Sequence, residues 1–125
     1  MRVLVVDDSL TIRTIIKKVL KGLGYEDVAE AADGVLAIAA YQECRPDLML
    51  VDWNMPNMDG LTLVKKIREV DKCVKILMVT TEAEKNRVVT AIQAGVNNYV
   101  IKPFTPDALK DKIDQTLAKQ AQMTA

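Results

Sequence analysis

The stretch Leu48-Met49-Leu50-Val51-Asp52-Trp53-Asn54-Met55-Pro56-Asn57-Met58-Asp59-Gly60 decides how the chain folds. An unbroken apolar run of this length matches a strand buried on both faces, and Asp52 ends it abruptly. Asn54, Pro56 and the Asn57-Met58-Asp59-Gly60 turn then stop the strand and send the chain back. A carboxylate is therefore expected where a core strand surfaces at the rim of a sheet.

The same layout recurs on both sides of this stretch. Val3-Leu4-Val5-Val6 runs into Asp7-Asp8, Ile76-Leu77-Met78-Val79 into Thr80-Thr81, and Tyr99-Val100-Ile101 into Lys102-Pro103. Val28-Ala29-Glu30-Ala31 is a weaker strand whose shortness and charge suit an edge. Helical spacing fills the intervals. Ile12, Ile15, Ile16, Val19, Leu20 and Leu23 form one stripe, with Arg13, Lys17, Lys18 and Lys21 outside and Gly22 and Gly24 closing the helix. An alanine-rich helix is expected from Val35 to about Cys44, ending before Pro46. Leu61, Val64, Ile67 and Val70 mark a third helix, with Lys65, Lys66 and Arg68 facing out. Val88, Ala91 and Ile92 mark a fourth, stopped by Gly95. Thr105-Pro106-Asp107 caps a last helix that buries Leu109, Ile113 and Leu117.

Alternating strands and helices with continuous apolar strands make an α/β chain with a doubly wound parallel sheet, covered on both faces. Right-handed crossovers put helices on both faces only if the winding reverses, and the crevice outside the strand carboxyl ends at that reversal is the ligand site of such folds. Asp7, Asp8, Asp52, Thr80 and Lys102 all fall on that rim. Taken singly, each has a plainer reading: Asp7-Asp8 as a helix cap, Thr80 as a turn residue, Lys102 as a solvated cation, Asn54 as part of the turn, and Tyr99 as a half-buried aromatic with a wet hydroxyl. The six methionines read as core filling.

Composition narrows the chemistry. The 125 residues make one domain, expected to bury roughly 65–70% of the unfolded surface, with a core over about 1–119 and a frayed tail from Gln120 to Ala125. Seventeen basic and seventeen acidic side chains cancel, so no electrostatic reason favours nucleic acid or an anionic membrane as a partner. Cys44 and Cys73 lack metal-ligand spacing and read as reduced thiols of a cytoplasmic protein. The chain has no histidine, so any mechanism that needs an imidazole must borrow it from another protein.

Crowded carboxylates must be offset by a cation, and a hard divalent ion such as Mg2+ prefers such oxygens while leaving room for a phosphoryl oxygen. With the Lys102 ammonium and the Thr80 hydroxyl, the set suits a phosphoryl group carried on Asp52. An aspartyl-nucleophile phosphatase would use similar parts but generally needs an acid two residues after the nucleophile, where this chain has Asn54. A dinucleotide-binding module would need a Gly-rich turn after the first strand, and a phosphorylation-independent adaptor would have no use for the acidic cluster with Lys102.

The motifs V-V-D-D-S, D-W-N-M-P-N-M-D-G, M-V-T-T-E and Y-V-I-K-P-F-T, in that order, resemble the receiver domain of two-component response regulators, and most closely its single-domain chemotaxis members. The resemblance spans essentially the whole chain. It implies a flavodoxin-like (βα)5 fold with strand order 2-1-3-4-5, and one receiver domain over 1–125. It further implies that Asp52 accepts a phosphoryl group from a phosphohistidine on a chemotaxis-type histidine kinase, so that the protein is a phosphoacceptor with slow self-dephosphorylation rather than a conventional enzyme. Asp8, Asp52 and the main-chain carbonyl of Asn54 would hold Mg2+, with Asp7 acting largely through water. Thr80 and Lys102 would bind the phosphoryl oxygens, and the Lys102-Pro103 bond would be cis. Thr80 and Tyr99 would act as the switch, and a surface including Lys85, Tyr99 and Lys112 would meet a flagellar motor switch protein. Asn54, Thr81 and Glu82 match positions that tune dephosphorylation in that family. A monomer is implied, with a separate phosphatase as a further candidate partner and a phosphorelay shuttle as the alternative role.

Overall fold

The computed structural model describes the backbone of residues 1–124 and the side chains of residues 1–118. The element order is β1 (Arg2–Val6), α1 (Leu10–Gly22), β2 (Asp27–Ala31), α2 (Gly34–Cys44), β3 (Leu48–Val51), α3 (Gly60–Val70), β4 (Lys75–Thr80), α4 (Lys85–Ala94), β5 (Asn98–Ile101) and α5 (Pro106–Thr124). All strands pair in parallel in the order β2-β1-β3-β4-β5, so the weak, charged β2 is an edge strand as expected. The expected fraying of residues 120–125 concerns side chains outside those described.

Strand alternation divides the core in two. Leu4, Val6, Met49, Val51, Ile76 and Met78 point to the face covered by α2, α3 and α4, together with Ala37, Tyr41, Leu63, Val64, Ile67 and Ala91. Val3, Val5, Leu48, Leu50, Leu77 and Val79 point to the other face, where Ile16 and Leu20 of α1 and Leu109 and Ile113 of α5 meet them. A period of two supplies both layers because each residue of a central strand is buried on one side or the other. The winding reverses between β1 and β3, which places the crevice between the ends of those two strands.

Helix starts follow local chemistry. The side chains of Ser9, Asp33, Asp59 and Thr105 accept hydrogen bonds from Ile12, Leu36, Thr62 and Ala108 N–H groups. Arg45 at the end of α2 adopts a left-handed conformation, as does Gly95 after α4.

Several stripes differ from those expected. Leu63 rather than Leu61 is fully buried in α3, and Val70, at 74% exposed, lies beyond the sheet. Ile15 of α1 and Ile92 of α4 are exposed too, outside the buried stripes that Ile16 and Leu20 and that Ala91 form on those helices. Met49 and Met78 fill the core, whereas Met1 is exposed. Arg68 is the largest departure. It is half-buried, not outward: its guanidinium donates to the carbonyls of Gly95 (3.0 Å) and Asp71 (3.1 Å) and to Asn97 Oδ1 (3.0 Å). Burial lowers its pKa, against the charge of Asp71. Asn97 Oδ1 also accepts from Ile76 N–H, and Asp71 accepts from the Tyr41 hydroxyl and from the N–H groups of Cys73 and Val74. One network thus fastens the C-terminal ends of α3 and α4 to the starts of β4 and β5. No helix among the described residues is long and apolar enough to cross a membrane.

Candidate functional site

Sheet hydrogen bonding runs one rung past the strands into the candidate residues. Asp7 N–H donates to the Ala31 carbonyl (3.1 Å), Asp52 N–H to the Val6 carbonyl (2.9 Å) and Lys102 N–H to the Thr80 carbonyl (2.8 Å). Their backbones are therefore as fixed as the core while their side chains leave it. The loop after Asp52 is closed by Gly60 N–H on the Trp53 carbonyl (2.8 Å). Asn57 in that loop has a φ of 69° and donates through Nδ2 to Asp33 (2.8 Å), a backbone conformation that asparagine tolerates better than most residues. At Gly60 a Cβ would come within 2.1 Å of the Asp52 carbonyl oxygen, so only glycine lets α3 start against the end of β3.

The carboxylates gather as the sequence implies. One oxygen from each of Asp7, Asp8 and Asp52 lies within 4.8 Å of the others. Asp7 is 1% and Asp52 7% exposed, whereas Asp8 faces solvent. Lys102 Nζ enters between the two buried acids, at 2.6 Å from Asp7 Oδ2 and 3.3 Å from Asp52 Oδ2. The ammonium is therefore shared rather than reserved for Asp52. The other oxygen of Asp7 accepts from Ser9 N–H (2.9 Å). Asp52 has a raised pKa. Burial is the first cause, the Lys102 charge opposes it, the Asp7 charge adds to it, and hydrogen bonding from Lys102 and Thr80 pulls it back. A carboxylate held above its ordinary range by loss of water gains most from an added cation.

This donor set fits a hard divalent ion: all-oxygen, anionic, with one exposed carboxylate for which the described residues offer no ion-pair partner. The remaining expected residues occupy a second ring. Thr80 is fully buried, and its Oγ1 accepts from Glu82 N–H (3.3 Å). Asn54 Nδ2 donates to Glu82 Oε1 (3.0 Å), joining the loops after β3 and β4. Tyr99 is only 8% exposed, and its hydroxyl donates to the Glu82 carbonyl rather than to solvent. Burial first, then the Glu82 charge, pushes its pKa up to about 12. Thr81 and Lys85 are exposed and Lys112 is partly so. The Lys102-Pro103 peptide is cis.

Two arginines belong to this region that the helical pattern assigns elsewhere or passes over. Arg13, expected on an outer face, donates to the Asp7 carbonyl (2.6 Å) and pairs with Glu30 (3.1 Å). Arg87 lies with its guanidinium carbon 5.2 Å from the centroid of the Trp53 ring, and Trp53 itself is buried.

Comparison with known proteins agrees with this geometry. Residues 3–114 match the model of the response regulator receiver domain. The chain is 52% identical over 120 residues to "Chemotaxis protein CheY1" of Helicobacter pylori, covering 94% of this chain and 97% of the other. It is 50% identical over 122 residues to a "Chemotaxis protein CheY homolog" of Campylobacter jejuni, covering 94% and 92%. Among solved structures, a CheY-like response regulator receiver domain protein of Methanospirillum hungatei superposes with a TM-score of 0.89 at 33% identity, over 98% of this chain and 97% of that one.

Proposed function

This chain belongs to the response regulator receiver family, and on that premise we propose that it is a single-domain chemotaxis regulator that takes up a phosphoryl group on Asp52. The observation that carries the reading is the cluster itself: buried Asp7 and Asp52 with exposed Asp8 at the winding reversal, and the Lys102 ammonium between the buried pair. Such a grouping costs stability unless cations offset it, and a divalent ion held there beside Lys102 can in turn receive phosphoryl oxygens.

In the transfer, an Asp52 oxygen forms a bond to phosphorus as the phosphorus–nitrogen bond of a partner's phosphohistidine breaks. The electron pair stays on the imidazole, which takes a proton. The missing histidine of this chain is thus supplied by the kinase. Asp8, Asp52 and the Asn54 carbonyl would hold Mg2+, with Asp7 linked through water; when bound, the ion supplies positive charge to the phosphoryl oxygens. Lys102 offers its ammonium to the same oxygens, exchanging part of its contact with Asp7 and Asp52. The Thr80 hydroxyl, already directed to Asp52, donates to them, and the long hydrogen bond it accepts from Glu82 N–H is the contact that adjusts. Because Tyr99 is already packed inward in this structure, the motion left for switching is that of the Glu82 loop and α4.

The exposed outcome of that motion is the face of α4, β5 and α5, on which Lys85, Val89, Ile92 and Ile101 are exposed and Lys112 is partly so. A flagellar motor switch protein is the target proposed for it. Acetyl phosphate with magnesium is the direct test. Wild type should incorporate one phosphoryl group and show two successive saturable changes in Trp53 fluorescence, one with the metal and one with the donor. Asp52→Asn, which also removes a carboxylate from the metal site, should show the first change only at higher magnesium and lose the second. Undiminished incorporation by Asp52→Asn would reject the assignment. For the target, the phosphorylated protein should bind the N-terminal peptide of a motor switch protein more tightly than the unmodified one, and equal binding would reject that part alone.

A further inference from the structure

Glu82 is held from three directions. Its carbonyl accepts from the Tyr99 hydroxyl, its Oε1 accepts from Asn54 Nδ2, and its Oε2 lies 4.0 Å from Arg87 Nε. Arg87 is anchored in turn by lying over the Trp53 ring. The result is a closed circuit of side chains. It leaves the acceptor loop at Trp53, crosses to α4 at Arg87, returns through Glu82, and re-enters the acceptor loop at Asn54. Helix α4 has no side-chain cap at its start: the Glu84 carbonyl accepts from Arg87 and Val88 N–H, but its carboxylate makes no hydrogen bond to the first turn. Arg87 thus ties the first turn of α4 to Trp53, the residue that follows Asp52.

Asn54 and Glu82 each stand two residues beyond a group placed in the phosphoryl site, Asp52 and Thr80. Joined to each other, they span the gap between the two loops, and the one Asn54 N–H and the one Glu82 oxygen that meet there are turned to each other instead of to an incoming water. Loss of the phosphoryl group needs that water: its oxygen bonds to phosphorus, the bond to the Asp52 oxygen breaks with its electrons returning to the carboxylate, and the protons go to phosphate and solvent. A clasp that keeps Asn54 and Glu82 engaged with one another slows this step.

We propose that Arg87 is a positioning residue for the phosphoryl lifetime: stacked on Trp53 and facing Glu82, it keeps the Asn54–Glu82 clasp shut across the approach to Asp52. This rests on the acceptor reading above. It also makes α4 the place where a bound partner can lengthen or shorten the signal, because displacing Arg87 releases the clasp.

The test is a double-mutant cycle on decay of the phosphorylated protein after acetyl phosphate and magnesium loading and removal of the donor. Arg87→Ala should lose its phosphoryl group about three- to fivefold faster than wild type, the size of effect that an exposed ion pair with a cation–π contact can carry. Arg87→Lys keeps the charge but not the planar stack, so it should restore part of the lifetime. In a Glu82→Ala background the same Arg87→Ala change should have no further effect, because the two act through one clasp. Without donor, Arg87→Ala should alter Trp53 emission, which a remote loss of stability would not do. If wild type and Arg87→Ala load alike and decay at one rate, or if the Arg87 effect persists undiminished without Glu82, the proposal is overturned and the acceptor reading stands. If neither protein takes up a phosphoryl group, the acceptor reading fails and carries this proposal with it.

Discussion

Gly60 shows how closely one residue can be tied to the site. Its missing side chain lets α3 begin against the Asp52 carbonyl, and a methyl group there would overlap that oxygen and the Trp53 backbone. Gly60→Ala should cost about 2–3 kcal/mol or more in a urea titration, because only backbone, not a side-chain tip, can yield. It should also slow phosphorylation by displacing Asp52. Tyr99 offers a second residue-level prediction, read by pH. Its pKa of about 12 lies above that of an unfolded tyrosine, about 10. The folded protein therefore holds the proton that the unfolded chain gives up, and this contribution to stability is complete below about pH 10 and lost as pH rises toward 12. Thermal melts over that range should fall less steeply in Tyr99→Phe than in wild type. The residues that end strands were legible in the sequence for a plain reason. Where an apolar run meets Asp7, Asp52, Thr80 or Lys102, the change in polarity marks both the strand end and the rim. Nothing comparable marks Arg87 or the Asn54–Glu82 hydrogen bond, which depend on rotamers and on which loop arrives opposite.

Elements were read correctly in type and order, because each carries its own period and its own stop signal. Their outer faces were read less well. Lysines and arginines look alike in a helical pattern, yet Lys65 and Lys66 of α3 are exposed while Arg68, two residues on, is folded into the α4–β5 connection. A long cation with a planar head can leave its own helix for carbonyls that only the tertiary fold supplies. The difference is measurable. Removing Arg68 leaves the Gly95 and Asp71 carbonyls and Asn97 with a partner lost, so Arg68→Ala should destabilise by about 2–3 kcal/mol. Lys66→Ala should stay within about 0.5 kcal/mol of wild type. A similar result for both would mean that Arg68 is solvated after all. Asp71 belongs to the same network. Burial alone would raise its pKa, but hydrogen bonds from Tyr41 and from the Val74 and Cys73 N–H groups, with the charge of Arg68, bring it below its ordinary value. Its contribution is accordingly present above the unfolded carboxylate pKa and lost as pH falls through the lower folded one.

For the molecule as a whole, the two ends of the sheet are built to different purposes. Carboxyl ends of the strands collect charge that wants a ligand, and the amino ends are closed by the Arg68, Asp71 and Asn97 network. Fold class could be read in advance because both core layers are written into alternate residues of the same strands. The inequality between the ends could not, since it arises from loops meeting across the sheet. It fixes how α4 can move. Moored through Gly95 below and without a side-chain cap above, this helix is expected to act as a lever with its pivot at the base, a signal at the rim swinging its upper turns while the lowest turn stays put. Hydrogen–deuterium exchange on loading with acetyl phosphate and magnesium should then change along a gradient, greatest for the amides nearest Arg87 and vanishing toward Ala94; a uniform change along the helix would mean that it slides instead of tilting.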